Sequence, residues 1–245
     1  MTLRLTERDH RMLAKCAVCR WLTTDQLRRL YFPTATPNAV QKRLRKLAEA
    51  GYLRTHQENP TAEAIHAVGP KGKPLVEEKG ISAALDGEIP RQIEHLRGVN
   101  DIRIAIESGT VPTAYFFAYW QLSNLGWPYP MIPDAVVAVR EPLRRTFLAE
   151  YDRGTETLEK LLAKLEWYGH GLEEFRFEAV LVVTERTRRL DVLARDLRRN
   201  DVPVTVLTST LEEIKEGDFF AVSFVDLQDG RKRTVLEVHS PEGED

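Results

Sequence analysis

Two acidic segments carry the side chains best suited to chemistry: Ile132-Pro133-Asp134, and Phe147-Leu148-Ala149-Glu150-Tyr151-Asp152-Arg153-Gly154-Thr155. Along a β-strand side chains alternate between faces, so Leu148, Glu150 and Asp152 share one side and Phe147, Ala149 and Tyr151 the other. Asp134 opens an apolar run, Ala135 to Val139, that reads as a buried strand, and Arg140-Glu141-Pro142 supplies a turn before the next strand. Pairing these strands as a hairpin would set Asp134 beside Glu150. Carboxylates gathered in this way attract hard divalent cations, Mg²⁺ or Mn²⁺, the ions used to cleave phosphodiesters. The alternative is that the acids are solvated or paired with Arg145 and Arg153.

The elements that must position these residues follow from the rest of the pattern. The 245 residues, 42% hydrophobic and 29% charged, suit one large soluble domain or two modest ones. No run of about 18 apolar residues occurs, and the first residues lack the apolar stretch of a signal peptide, so the expectation is a cytoplasmic protein without membrane contact. Cys16 and Cys19 are the only cysteines and read as core thiols on a helix. The net charge of −2 conceals an asymmetry. Residues 1–60 hold twelve Lys and Arg against five Asp and Glu, a net +7, which leaves −9 for the remainder. A basic module suits a polyanion, because neutralising phosphates releases counterions.

Within that module, Thr6 with Asp9 reads as the cap of a first helix carrying Leu13, Cys16 and Ala17. Thr23 with Gln26 is a capping box for a short second helix. Thr36 followed by Pro37 opens a third, with Val40, Leu44 and Leu47 facing inward and Gly51 ending it. Tyr52 to His56, a turn through Asn59-Pro60, and Ala64 to Val68 complete a winged helix-turn-helix over residues 1–80. In such folds the recognition helix reads base edges and flanking cations grip phosphates. Asn38, Gln41, Lys42 and Arg45 are assigned to the groove; Arg43, Lys46, Arg54 and His56 are assigned to the backbone.

After a polar, Gly- and Pro-containing stretch to Pro90, residues 91–239 alternate differently: helix near 91–108, strands near 113–122, 132–139 and 146–152, helix 155–169, strand 177–184, helix 186–199, strand 202–208. Residues 240–245 read as a disordered tail. The expected class is α/β, α+β overall, with a mixed central sheet. The order α-β-β-β-α-β resembles the restriction-endonuclease-like, or PD-(D/E)xK, fold. Pro133-Asp134 matches the first part of its motif and Glu150-Tyr151-Asp152 the second, with Asp152 where that family has lysine. Lys164 and Tyr168, four apart on the next helix, are similar to the Gln-x-x-x-Tyr of RecB-like and phage-exonuclease members. The resemblance implies that Asp134, Glu150, Asp152, Lys164 and Tyr168 form the catalytic set, that Asp134 and Glu150 are metal ligands, and that His95 is a further candidate ligand.

Over nearly its full length the sequence also resembles the replication-relaxation family of plasmid and mobile-element proteins. The matching segments are Leu5 to Asp9, Trp21 to Leu27, Lys42 to Leu47 with Gly51-Tyr52-Leu53, His95 to Asp101, Pro133-Asp134-Ala135 and Glu150 to Thr155. What this implies is binding of double-stranded DNA in plasmid replication or its control. Three expectations follow. The nuclease-like domain is degenerate and holds no metal, or it is an active Mg²⁺- or Mn²⁺-dependent endonuclease, or the winged helix is an adaptor that docks protein. Homodimerisation and contact with replication proteins are the expected associations.

Overall fold

The computed structural model describes residues 3–81, 88–140, 144–171, 175–197 and 202–238. The tail at 240–245, residues 141–142 of the expected turn and the last two residues of the helix expected over 186–199 lie outside them. The chain divides into two compact units, Met1–Asn100 and Asp101–Asp245.

In the first unit, α1 (Glu7–Cys19), α2 (Thr24–Tyr31) and α3 (Pro37–Glu49) each begin at a threonine whose side chain accepts a backbone N–H three residues on. At Thr6 and Thr23 the box is reciprocal, with Asp9 and Gln26 returning the bond. Such caps satisfy donors that a helix start leaves open. Gly51 follows α3 at φ 83°, a left-handed conformation that glycine adopts without strain. Met12, Leu13, Cys16, Leu27, Val40, Leu44 and Leu47 bury the inner faces of these helices, the two cysteines remaining free thiols. Strands β1 (Leu22–Thr23), β2 (Leu53–His56) and β3 (Ile65–Val68) pair antiparallel in the order β1-β3-β2, with β2 and β3 forming a hairpin. A short α4 (Lys73–Glu77) follows, and the division between units falls inside α5 (Ile93–Glu107).

The second unit is built on a seven-stranded mixed sheet: β4 (Thr113–Ala118), β5 (Ala135–Val139), β6 (Arg145–Asp152), β7 (Ala179–Thr184), β8 (Val206–Thr210), β9 (Phe224–Asp226) and β10 (Lys232–Arg233). Their spatial order is β10-β9-β8-β7-β6-β5-β4. The pairs β4–β5 and β5–β6 are antiparallel; β6–β7 and β7–β8 are parallel, joined by α7 (Leu158–Gly171) and α8 (Thr187–Leu197) as crossovers. Leu161, Leu165 and Tyr168 of α7 and Leu193 and Leu197 of α8 pack in one core with Val136, Leu148, Val180, Val182 and Val206, so both helices cover the same face of the sheet. The fold class is α/β, as expected.

The strand expected over 113–122 ends at Ala118. Residues Tyr119–Asn124 form α6, because the Gln121 side chain returns to accept the Ala118 N–H (3.2 Å) and starts a helix. No element is expected from the sequence after 208, but α9 (Leu211–Glu216) follows β8, and β9 and β10 complete the sheet's far edge.

Candidate functional site

Helix α3 buries Val40, Leu44 and Leu47 and leaves Asn38, Gln41, Lys42, Arg45 and Lys46 exposed on its other side. Beside it the β2–β3 hairpin presents Arg54, exposed, and His56, half-buried. A groove of about 1020 Å³ runs between α3, the start of α2 and the hairpin, lined among others by Asn38, Gln41, Lys42, Arg45 and Thr55. Its acids are engaged. Asp25 holds Arg28 (2.9 Å) and Arg29 (3.0 Å), Glu63 holds Arg97 (2.9 Å), and Glu49 lies 3.8 Å from Arg45. At its floor His66 is buried with Nε2 3.0 Å from the Thr24 hydroxyl and Nδ1 3.0 Å from that of Thr55. Burial pushes its pKa down to about 4, so a neutral ring ties the hairpin to the start of α2.

Arg43 differs from its neighbours on α3. Its Nε donates to Asp9 Oδ1 at 3.0 Å, its Nη2 pairs with Asp9 Oδ2, and Nη2 also reaches the Arg4 carbonyl at 3.3 Å. Asp9 is fully buried. Burial alone would raise its pKa, but the bonds from Arg43 and Thr6 outweigh that and hold the carboxyl below its usual range. Arg43 is thus committed to a strut between α3 and the start of α1.

In the second unit, antiparallel register pairs Ala135 with Ala149, which sets Asp134 and Glu150 at the next step of the hairpin. Asp134 Oδ2 accepts the Tyr151 N–H at 2.8 Å. Glu150, 2% exposed, projects toward α7, where its Oε1 accepts the Tyr168 hydroxyl and its Oε2 meets Lys164 Nζ at 3.0 Å. The same ammonium lies 3.4 Å from Glu156 Oε2. Burial, and then the charge of Asp134, push the Glu150 pKa up to about 7 against the pull of Lys164 and Tyr168. Burial opposes the charged form of Lys164, but Glu150 prevails and holds the ammonium protonated above its ordinary pKa. Burial, then Glu150, likewise raise the Tyr168 hydroxyl.

Asp152 shares the Glu150 face but has other partners: the Gly154 N–H (2.7 Å) and Arg189 Nε from α8 (2.5 Å), whose Nη2 also reaches the Glu156 carbonyl (2.9 Å). Four of the expected residues, Asp134, Glu150, Lys164 and Tyr168, therefore stand together, and Asp152 is tied to the loop before α7. His95 is half-buried on α5 in the first unit. Among the described residues no group of three or more His, Cys, Asp or Glu side chains is arranged to hold a metal ion. The sequence offers Glu156 as a partner for Lys164, and the two do meet; the pairings of Arg189 with Asp152 and of Asp9 with Arg43 have no local spacing that signals them.

A model of the replication-relaxation family matches residues 13–178. The chain belongs to that family. No curated protein and no solved structure matches it. In this replication-relaxation protein the matched stretch takes in both the exposed side of α3 and the Asp134–Glu150–Lys164–Tyr168 cluster, and it ends before α8 and Arg189. Among the described residues no helix is long and apolar enough to cross a membrane.

Proposed function

We propose that the first unit is a winged helix-turn-helix that binds double-stranded DNA, and that the protein acts in the replication of a plasmid or mobile element, or in its control. The observation that carries this reading is the outward side of α3, where two amides and three cations stand exposed beside the β2–β3 hairpin. Asn38 and Gln41 suit adenine edges and Arg45 suits guanine, while Lys46 and Arg54 supply phosphate contacts, and Lys42, assigned to the groove from the sequence, is read here as a phosphate contact as well. Arg43, held by Asp9, orients α3 instead of touching DNA. Family membership supports the replication setting. The test is fluorescence anisotropy with duplex DNA across a salt series: Lys42→Ala should lower affinity and flatten the salt dependence. Undiminished function in a Lys42→Ala, Arg45→Ala variant would instead favour a protein-docking adaptor.

A second reading has its own support. Asp134 and Glu150 side by side, with Lys164 and Tyr168 converging on them, make a nuclease-like cluster of the PD-(D/E)xK kind. The donor set already faces a cation of the chain's own. Both Glu150 oxygens are already bonded, and the cation they face is the ammonium of Lys164. We therefore read the second unit as a nuclease-like scaffold without catalysis. Supercoiled plasmid with Mn²⁺ decides between the readings. Nicking that is lost in Asp134→Ala and Glu150→Ala would establish the enzyme, and salt-sensitive binding without nicking would support the scaffold.

A further inference from the structure

We propose that Lys164 is the resident cation of the second unit's carboxylate cluster, so that the site is filled by its own chain and takes no divalent metal. The ammonium stands 3.0 Å from Glu150 Oε2 and 3.4 Å from Glu156 Oε2, with Asp134 close enough to act on both Glu150 and Lys164. Two carboxylates thus meet one charge, Glu150 from β6 and Glu156 from the loop before α7, and Asp134, just before β5, adds its field. Lys164 is 25% exposed along its side chain, so its stem runs along the buried surface while its head meets the acids. Tyr168, one turn further along α7, closes the remaining Glu150 oxygen.

The arrangement differs from an open metal site in two respects. A hard divalent ion needs several oxygens with free lone pairs converging on one point. Here one Glu150 oxygen accepts a hydrogen bond from the Tyr168 hydroxyl, one Asp134 oxygen accepts the Tyr151 N–H, and the second Glu150 oxygen and a Glu156 oxygen face an ammonium. An ammonium also supplies its charge with no loading step, so the strands and α7 are clamped whatever the metal supply. Asp152 follows the same pattern, its carboxylate held by the Arg189 guanidinium. This inference does not rest on DNA binding and stands or falls separately.

The experiment is a titration of the full chain with Mn²⁺, followed by loss of the free-ion electron paramagnetic resonance signal, for wild type, Glu150→Gln, Lys164→Met and the Lys164→Met, Glu150→Gln pair. Wild type should take up no Mn²⁺ tighter than about a millimolar. Lys164→Met, which keeps the apolar stem, should gain one site at least about tenfold tighter and a melting midpoint that rises with Mn²⁺. Adding Glu150→Gln should remove that gain. Mn²⁺ uptake by wild type that Glu150→Gln abolishes would overturn the proposal, as would a folded Lys164→Met that binds none. Should Lys164→Met fail to fold, the wild-type and Glu150→Gln titrations decide by themselves.

Discussion

The two units use cations in opposite ways. On α3 of the first unit, Lys42 and Lys46 stand exposed along one side of a helix. In the second unit Lys164 and Arg189 each meet a buried carboxylate at bonding distance. A charge left in water keeps its field for an incoming polyanion, whereas one desolvated against an acid serves the fold. Arg43 shows that the contrast is set by the partner and not by the helix: it lies between Lys42 and Arg45, yet is claimed by Asp9.

The contrast can be broken most forcefully at Glu150. Glu150→Ala leaves a buried Tyr168 hydroxyl without its acceptor and takes from Lys164 the nearer of its two carboxylates, and should cost about 3 kcal/mol in urea unfolding. A loss below about 1 kcal/mol would mean that the cluster is solvated. Asp9→Ala removes the carboxylate half of the Thr6 capping box and the Arg43 partner together, and should cost about 2 kcal/mol. It should also weaken DNA binding without changing its salt slope, since a strut and not a phosphate contact is lost.

The same pair of acids separates in pH. The Glu150 pKa is raised, so the native state holds its proton more tightly than the unfolded chain. That contribution is complete below about 4.5 and disappears as the pH climbs through about 7. The melting advantage of wild type over Glu150→Gln should therefore shrink across this window. Asp9 is lowered, so its contribution is present above 3.8 and is lost as the medium is acidified through its native pKa. A wild-type minus Glu150→Gln difference that widens with rising pH would refute the assignment. The smallest effect is expected at Lys42→Ala, which should alter the unfolding free energy by no more than about 0.5 kcal/mol.

Much of this architecture was legible because its signals are local. Thr6 with Asp9, Thr23 with Gln26 and Thr36 with Pro37 each mark a helix start within four residues, and all three form as read. The hairpin that sets Asp134 by Glu150 follows from alternation and a short connection. The misreading of 119–122 as strand arose where aromatic residues continue past Ala118 and hide the Gln121 cap. Thr210 with Glu213 carried the same capping signal as Thr23 with Gln26 and marks α9, which the reading passed over. Arg43 with Asp9 and Arg189 with Asp152 are joined across 34 and 37 residues, a distance at which no periodicity connects them.

The central claim is that the exposed cations of α3 bind the phosphates of a DNA duplex. Its most direct test is the slope of log affinity against log salt concentration for wild type and for a Lys42→Ala, Arg45→Ala variant with unchanged unfolding. If both residues contact phosphate the slope should fall in magnitude by about 1.8; if Arg45 reads a base instead, by about 0.9 with a further loss of affinity. Equal slopes and equal affinities in the two proteins would contradict it.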